Sequence, residues 1–147
     1  MFNFNFYNPT RIYFGKDRLE SINENVPVDA KVLITYGGGS AKRSGLIDKV
    51  KSILGSREIF EFSGIEPNPK YETLMKAVEV VKAENIDYIL AVGGGSTIDG
   101  TKFISLASNY EGDATELLMK GFSGVTSEMV KKVIPFGSVL TLPATGS

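Results

Sequence analysis

Hydrophobic and polar positions along the chain alternate between two periods, one of two residues and one close to 3.6. FNFNFY (2–7) sets Phe2, Phe4 and Phe6 against intervening Asn, the pattern of a half-buried strand. Asn8-Pro9 interrupts it, and RIYFG (11–15) reads as a second strand. An NP break between two such runs predicts an antiparallel pair. Residues 16–25 predict a short helix around Leu19 and Ile22, ended before Pro27.

A regular rhythm follows. KVLIT (31–35) predicts a strand, and Leu46, Ile47, Val50, Ile53 and Leu54 predict a helix. REIFEF (57–62) is the next strand, SGIEPNP (63–69) a turn rich in Gly, Asn and Pro, and Leu74, Ala77, Val78 and Val81 mark a second helix. In that helix Met75 is expected to fill a core gap, as is Met119 further on. YILAV (88–92) is almost continuously apolar, as expected of a strand covered on both faces. A helix through Phe103, Ile104 and Leu106 follows, then a looser stretch over 117–132 and a last strand in SVLTLP (138–143). Strands alternating with amphipathic helices predict an α/β fold. The expected form is a Rossmann-like, mainly parallel sheet with flanking helices, plus the N-terminal antiparallel strand pair.

The 147 residues suit one domain, 1–147. The net charge of −1 gives no bulk attraction to nucleic acid or anionic lipid, so no nucleic-acid or membrane partner is expected. The chain also lacks an apolar run near the ~18 residues of a membrane span. Its start lacks the basic-then-apolar pattern of a secretory signal, which makes the cytoplasm the expected location. With no Cys and no His, thiolate chemistry, a His-containing metal site and a His-based triad cannot be assembled from this chain.

Two segments concentrate the candidate chemistry: YGGGSAKRSG (36–45) and AVGGGSTIDGTKF (91–103). Each places a glycine run between a strand and a helix. Glycine there serves tight turns and close packing, but it also lets phosphate oxygens reach backbone N–H groups at a helix N-terminus. Two such loops at strand carboxyl ends point to a nucleotide phosphate site. Gly94, Gly95 and Ser96 suit a pyrophosphate. Gly38, Gly39 and Ser40 are followed by Lys42 and Arg43, with no acidic residue in the segment to hold a ribose diol. That favours a ribose bearing a 2′-phosphate, and so NADP(H). The alternative for Lys42 and Arg43 is a solvated helix start, although cations there oppose the macrodipole and call for a partner. Asp99 is open to two readings: partner of Ser96 in a capping-box-like pair at the first helical turn, or a group facing the nicotinamide. Lys102 reads as a surface or phosphate-steering cation.

On these segments, together with FYNPTRIYFG, GIEPNPKYETL and LTLPATGS, the sequence resembles the iron-containing (group III) alcohol dehydrogenases. Within them the likeness is to bacterial NADPH-dependent butanol dehydrogenases and broad aldehyde reductases. The resemblance implies an N-terminal dinucleotide-binding domain, matched by this chain, and an all-helical domain carrying a divalent metal (Fe or Zn), whose Asp and His ligands lie beyond Ser147. It implies that Gly38, Gly39 and Ser40 surround the 2′-phosphate, with Lys42 or Arg43 neutralising it, whereas NAD-preferring relatives place an Asp near Gly38. Asn68 would contact the adenine side, and Gly94, Gly95 and Ser96 the pyrophosphate. Asp99 would lie near the nicotinamide, and Thr141, Leu142 and Thr145 would line the cofactor from the last strand and its loop. For Thr141 and Thr145, a strand-end hydroxyl satisfying a loop is an equal reading. The implied reaction is reversible hydride transfer between NADPH and a small aldehyde, completed by the metal-bearing half, with no catalytic residue in this chain. A homodimer through the N-terminal strand is also implied. Rival readings are a glycerol dehydrogenase-like or dehydroquinate synthase-like relative, a phosphotransferase module, and a nucleotide-binding module without turnover.

Overall fold

The computed structural model describes residues 5, 7–119, 128 and 133–143. Its centre is a four-stranded sheet of β1 (Lys31–Tyr36), β2 (Glu58–Phe62), β3 (Tyr88–Gly93) and β4 (Phe136–Leu140), in the order β2-β1-β3-β4. All three pairings are parallel. Parallel neighbours need crossovers, and helices supply them: α2 (Ser40–Arg43) and α3 (Leu46–Leu54) after β1, α4 (Tyr71–Glu84) after β2, and α5 (Gly95–Ala107) after β3. Ahead of the sheet, a 3₁₀ turn (Arg18–Glu20) runs into α1 (Ser21–Asn25), the short helix expected around Leu19 and Ile22.

Alternation along the central strands sends side chains to two separate cores. Val32, Ile34 and Tyr36 of β1, with Leu90 and Val92 of β3, pack under α3 through its Ile47, Val50 and Leu54. Leu33 and Ile89 face the other way, against Leu74, Ala77, Val78 and Val81 of α4 and Ile104 and Ala107 of α5, with Met75 packed at the margin. Both faces of β1 and β3 are therefore covered, which is why YILAV carries no charged residue.

Two polar devices fasten this arrangement. Thr101 on α5 donates its hydroxyl proton to the Thr97 carbonyl at 2.8 Å, so the 2.7 Å contact with Thr35 of β1 must be donated by Thr35. That chain pins α5 to the sheet from inside the core. On the opposite side Arg57, only 8% exposed, spends all five guanidinium N–H groups. It donates to the carbonyls of Asn23, Val26, Pro27 and Leu54 and to Asn23 Oδ1, at 2.7–2.9 Å. Leu54 closes α3 and Val26 caps α1, so one cation serves the carbonyl ends of two helices.

Three expectations are corrected. Arg11–Gly15 forms no strand: Ile12 is 84% and Phe14 94% exposed, and the segment is held by side chains, Arg11 Nη1 and Tyr13 Oη both donating to Asn25 Oδ1. Period-two patterning marks a segment fit for a ladder, but a ladder needs a paired edge. The expected partner residues Phe2, Phe4 and Phe6 lie outside the described residues. The last strand runs over Phe136–Leu140 and not 138–143, because its partner β3 ends at Gly93, opposite Leu140. The looser stretch opens on a helical turn, α6 (Thr115–Met119), started by Asp113, whose carboxylate accepts from the Thr115 N–H and hydroxyl. The expected packing role of Met119 falls on a side chain outside the described ones.

Candidate cofactor site at the sheet switch point

From β1 the chain moves to β2 on one side and then to β3 on the other, so the strand order reverses between β1 and β3. In open parallel sheets the crevice outside the carboxyl ends of such strands is where ligands bind. Both glycine runs open there. Tyr36 is the register partner of Val92, which sets the loop from Gly37 beside the loop from Gly93. The turn after β2 crosses the same end, with the Gly64 N–H on the Gly37 carbonyl at 3.2 Å and the Ile65 N–H on that of Tyr36 at 3.3 Å. From the far side, the Thr141 N–H bonds the Gly93 carbonyl at 2.9 Å.

The glycines divide by what a methyl group would meet. At Gly93 a Cβ would lie 2.6 Å from Thr97 Oγ1 and 2.9 Å from Thr97 Cβ, and at Gly37 it would lie 3.1 Å from the Ile65 carbonyl oxygen. These two are glycine so that the loop can pack. Gly39 is needed for its backbone, with φ at +97°. Gly38 and Gly94 meet nothing within 4 Å, and neither has a positive φ. Packing and backbone geometry leave both unexplained, and their open faces leave room for a bulky anion against the backbone. At α5 the Thr97 and Ile98 N–H groups bond the Gly94 carbonyl, leaving those of Gly95 and Ser96 as helix-end donors among the described residues.

Beside the first loop lies a cleft of about 310 Å³, lined by Tyr36, Gly37, Gly38, Gly39, Lys42, Ser63 and Gly64. Under it sits an ion cluster that local sequence did not reveal. Glu61, on β2 opposite Ile34, accepts from the Tyr36 hydroxyl at 2.7 Å through Oε2 and from Lys51 Nζ through Oε1. Lys42 Nζ stands 3.7 Å from Oε2. Lys51 and the Tyr36 hydroxyl hold the Glu61 carboxyl below its ordinary range. Burial, followed by the bond to Glu61, pushes the Tyr36 phenol up.

This cluster changes the reading of the cations. Helix α2 has four residues, and Lys42 and Arg43 fall in its last turn, where the macrodipole favours them. The partner that Lys42 needs is Glu61, on a different strand. Arg43 Nη1 reaches the Gly38 carbonyl at 3.5 Å, so it curls back over the loop. Ser40 begins α2 and is exposed. The capping-box reading of Asp99 is also corrected: Gly94 is the N-cap, Ser96 lies inside the helix, and Asp99 stands beyond the first turn in a pair with Lys102 at 3.3 Å.

Among the other expected site residues, Asn68 is exposed with φ at +55°, so the turn itself asks for a residue that tolerates the left-handed region. Thr141 and Leu142 follow β4 and are exposed, with Thr141 tied to Gly93 through its N–H. Thr145 lies outside the described residues. Glu61, Ser63 and Gly64 were not expected at the site, and Tyr36 and Thr97 stood in the two glycine segments without a role assigned to them. For Glu61 the available signal was an acid alternating with Phe60 and Phe62 on a strand next to β1.

The residues present fit a dinucleotide at the two glycine loops. They do not fit a metal ion: the chain has neither His nor Cys, and no group of three or more acidic side chains gathers among the described residues. No described helix is long and apolar enough to cross a membrane.

Comparison with known proteins agrees with this geometry. The whole chain aligns with the NADPH-dependent aldehyde reductase YqhD of Escherichia coli at 52% identity, and with a probable NADH-dependent butanol dehydrogenase of Bacillus subtilis at 45%. In each case it spans 37% of the relative's length. The substrate- and cofactor-free structure of E. coli YqhD superposes with a TM-score of 0.88 at 50% identity, over 96% of this chain and 36% of that one. An NADH-dependent butanol dehydrogenase from Thermotoga maritima gives 0.83 at 39%, over 97% and 35%. Residues 9–147 match the iron-containing alcohol dehydrogenases, and the chain belongs to that family.

Proposed function

We propose that this chain is the NADP(H)-binding part of a metal-dependent alcohol dehydrogenase that reduces small aldehydes reversibly, of the butanol dehydrogenase or aldehyde reductase type. The observation that carries the reading is the pair of glycines, Gly38 and Gly94, whose missing side chains face open space at the sheet's switch point. Gly94, Gly95 and Ser96 hold the pyrophosphate on the N-terminal end of α5. The 2′-phosphate lies in the cleft beside Gly38, Gly39 and Ser40, with Lys42 and Arg43 supplying the charge. Asn68 borders the adenine, and Asp99, with Thr141, Leu142 and Thr145 from the sequence after the last strand, borders the nicotinamide end. The cofactor supplies a hydride when bound, and these residues fix its orientation. The metal, the aldehyde and the catalytic groups belong to the part of the relatives' length that this chain does not span, so the chain alone binds cofactor without turnover. The N-terminal segment, with Ile12 and Phe14 outward, is the surface on which a second copy would pair.

The relatives divide between NADPH and NADH, and the first loop supports the NADPH reading through Lys42 and Arg43 and the lack of an acid in its own sequence. Calorimetric titration of the chain with each cofactor tests this. NADPH should bind more tightly than NADH, and Gly38→Asp should reverse the order, because the cleft has room for the carboxylate and its charge opposes the phosphate. Equal affinities in the unaltered chain would overturn the NADP reading.

A further inference from the structure

Glu61 occupies a position with a physical history in dinucleotide-binding units. It lies on the strand after the glycine loop, about 20 residues on, where such units carry the acid that bonds a ribose 2′-hydroxyl. A free carboxylate there accepts from the hydroxyl and repels a 2′-phosphate. In this chain it is not free: Lys51 of α3 takes Oε1, the Tyr36 hydroxyl takes Oε2, and Lys42 stands off at 3.7 Å. The two lysines differ in freedom. Lys42 lines the cleft and its side chain is 61% exposed, so it can turn to a ligand. Lys51 lies outside the cleft lining, its side chain 35% exposed and in close contact with Glu61.

We propose that the Tyr36–Glu61–Lys51 cluster beneath the cleft sets the choice between cofactors with and without a 2′-phosphate, Lys51 acting as the positioning residue that neutralises Glu61 when Lys42 leaves for the phosphate. The inference rests on the cofactor reading above and adds Glu61 and Lys51, neither of which lines the cleft. Without Lys51, Glu61 competes with the phosphate for Lys42. Without the charge on Glu61, Lys42 is released and Lys51 has nothing left to neutralise.

The experiment is calorimetric binding of NADPH and NADH to the chain, to Lys51→Met, to Glu61→Gln and to the double variant. Glutamine keeps an acceptor for Tyr36 and removes the charge. Lys51→Met should lower the NADPH-to-NADH affinity ratio about three- to tenfold, the scale of one charge acting over several ångströms near water. Glu61→Gln should raise the ratio, and in its background Lys51→Met should have little effect. An unchanged ratio in Lys51→Met overturns the proposal, as does an equal fall in both backgrounds, which would mean that Lys51 acts on the phosphate by its own charge. Should Lys51→Met lose both cofactors, the Glu61→Gln arm decides, and a ratio that fails to rise overturns it. Absence of NADPH preference in the unaltered chain is a different result: it sinks the NADP reading itself, and this inference with it.

Discussion

Arg57 offers the sharpest test of how the scaffold beneath the site is held. The residue is 8% exposed, and its guanidinium makes five hydrogen bonds, four to main-chain carbonyls and one to an amide oxygen, none to a carboxylate. Each charge-assisted bond is worth roughly 1.5–3 kcal/mol, but five cannot simply be summed, since water reaches some carbonyls once the side chain is gone. Arg57→Met keeps the apolar stem and strands the carbonyl ends of α1 and α3. The expected loss is about 3–5 kcal/mol, because several of the stranded oxygens stay out of reach of water at roughly 1–3 kcal/mol each. Against the roughly 5–15 kcal/mol of a typical domain, that is a large share. Arg57→Lys keeps the charge with three donors in place of a five-donor fork, and should lose about 1.5–3 kcal/mol. Urea unfolding followed by far-UV circular dichroism reads both as falls in midpoint at constant slope. If Arg57→Met stays within about 1 kcal/mol of the unaltered chain, the carbonyls do not depend on the guanidinium and the reasoning fails. If Arg57→Lys matches the unaltered chain, charge alone is sufficient and the fork is irrelevant.

The glycine runs and the ion cluster carry two more predictions. Gly93→Ala drives a methyl group to 2.6 Å from Thr97 Oγ1 and should cost about 1–3 kcal/mol by overpacking, whereas Gly94→Ala should unfold close to the unaltered midpoint while weakening NADPH binding. Equal destabilisation of the two in urea would remove the distinction between packing glycines and ligand glycines. For pH, the Glu61 carboxyl is held down by Lys51 and then by Tyr36, so its folded value lies below its ordinary 4.5. A depressed acid contributes stability that is intact above the ordinary value and is lost as the pH falls through the folded one. Glu61→Gln should therefore lose less stability than the unaltered chain between neutral pH and the acid side of 4.5, and parallel stability–pH curves would refute the assignment.

Much of the fold was legible because burial leaves a mark on every residue of a strand or helix. YILAV could be assigned to a covered strand because both of its faces are dry, and α3 from the spacing of Ile47, Val50 and Leu54. Arg11–Gly15 shows where that logic stops. Ile12 and Phe14 follow the strand period yet stand exposed, since the period records what a segment could bury and not whether an edge is present to receive it. Arg57 was read as the opening residue of a strand, because a guanidinium that serves two helix ends leaves no local pattern at all.

The site divides along the same line. Three glycines in a row announce a loop that must clear its side chains, but not which ones clear for packing and which for a ligand. That division needs Thr97 and Ile65, which the fold brings up from later in the chain. The cations after the first loop carry a further lesson. In isolation, SAKR sets two positive charges at a helix start and asks for an anion. In the folded chain the helix is a single turn, the dipole objection disappears, and Lys42 already has Glu61 from the neighbouring strand. An acid absent from the loop's sequence is present in the loop's space, so the charge beside the cleft is set by how firmly Lys51 and Tyr36 hold Glu61 as well as by the residues of the glycine segment. Under the cofactor reading proposed above, the choice between NADPH and NADH depends on Glu61 of β2 and Lys51 of α3 as well as on the residues of the glycine loop.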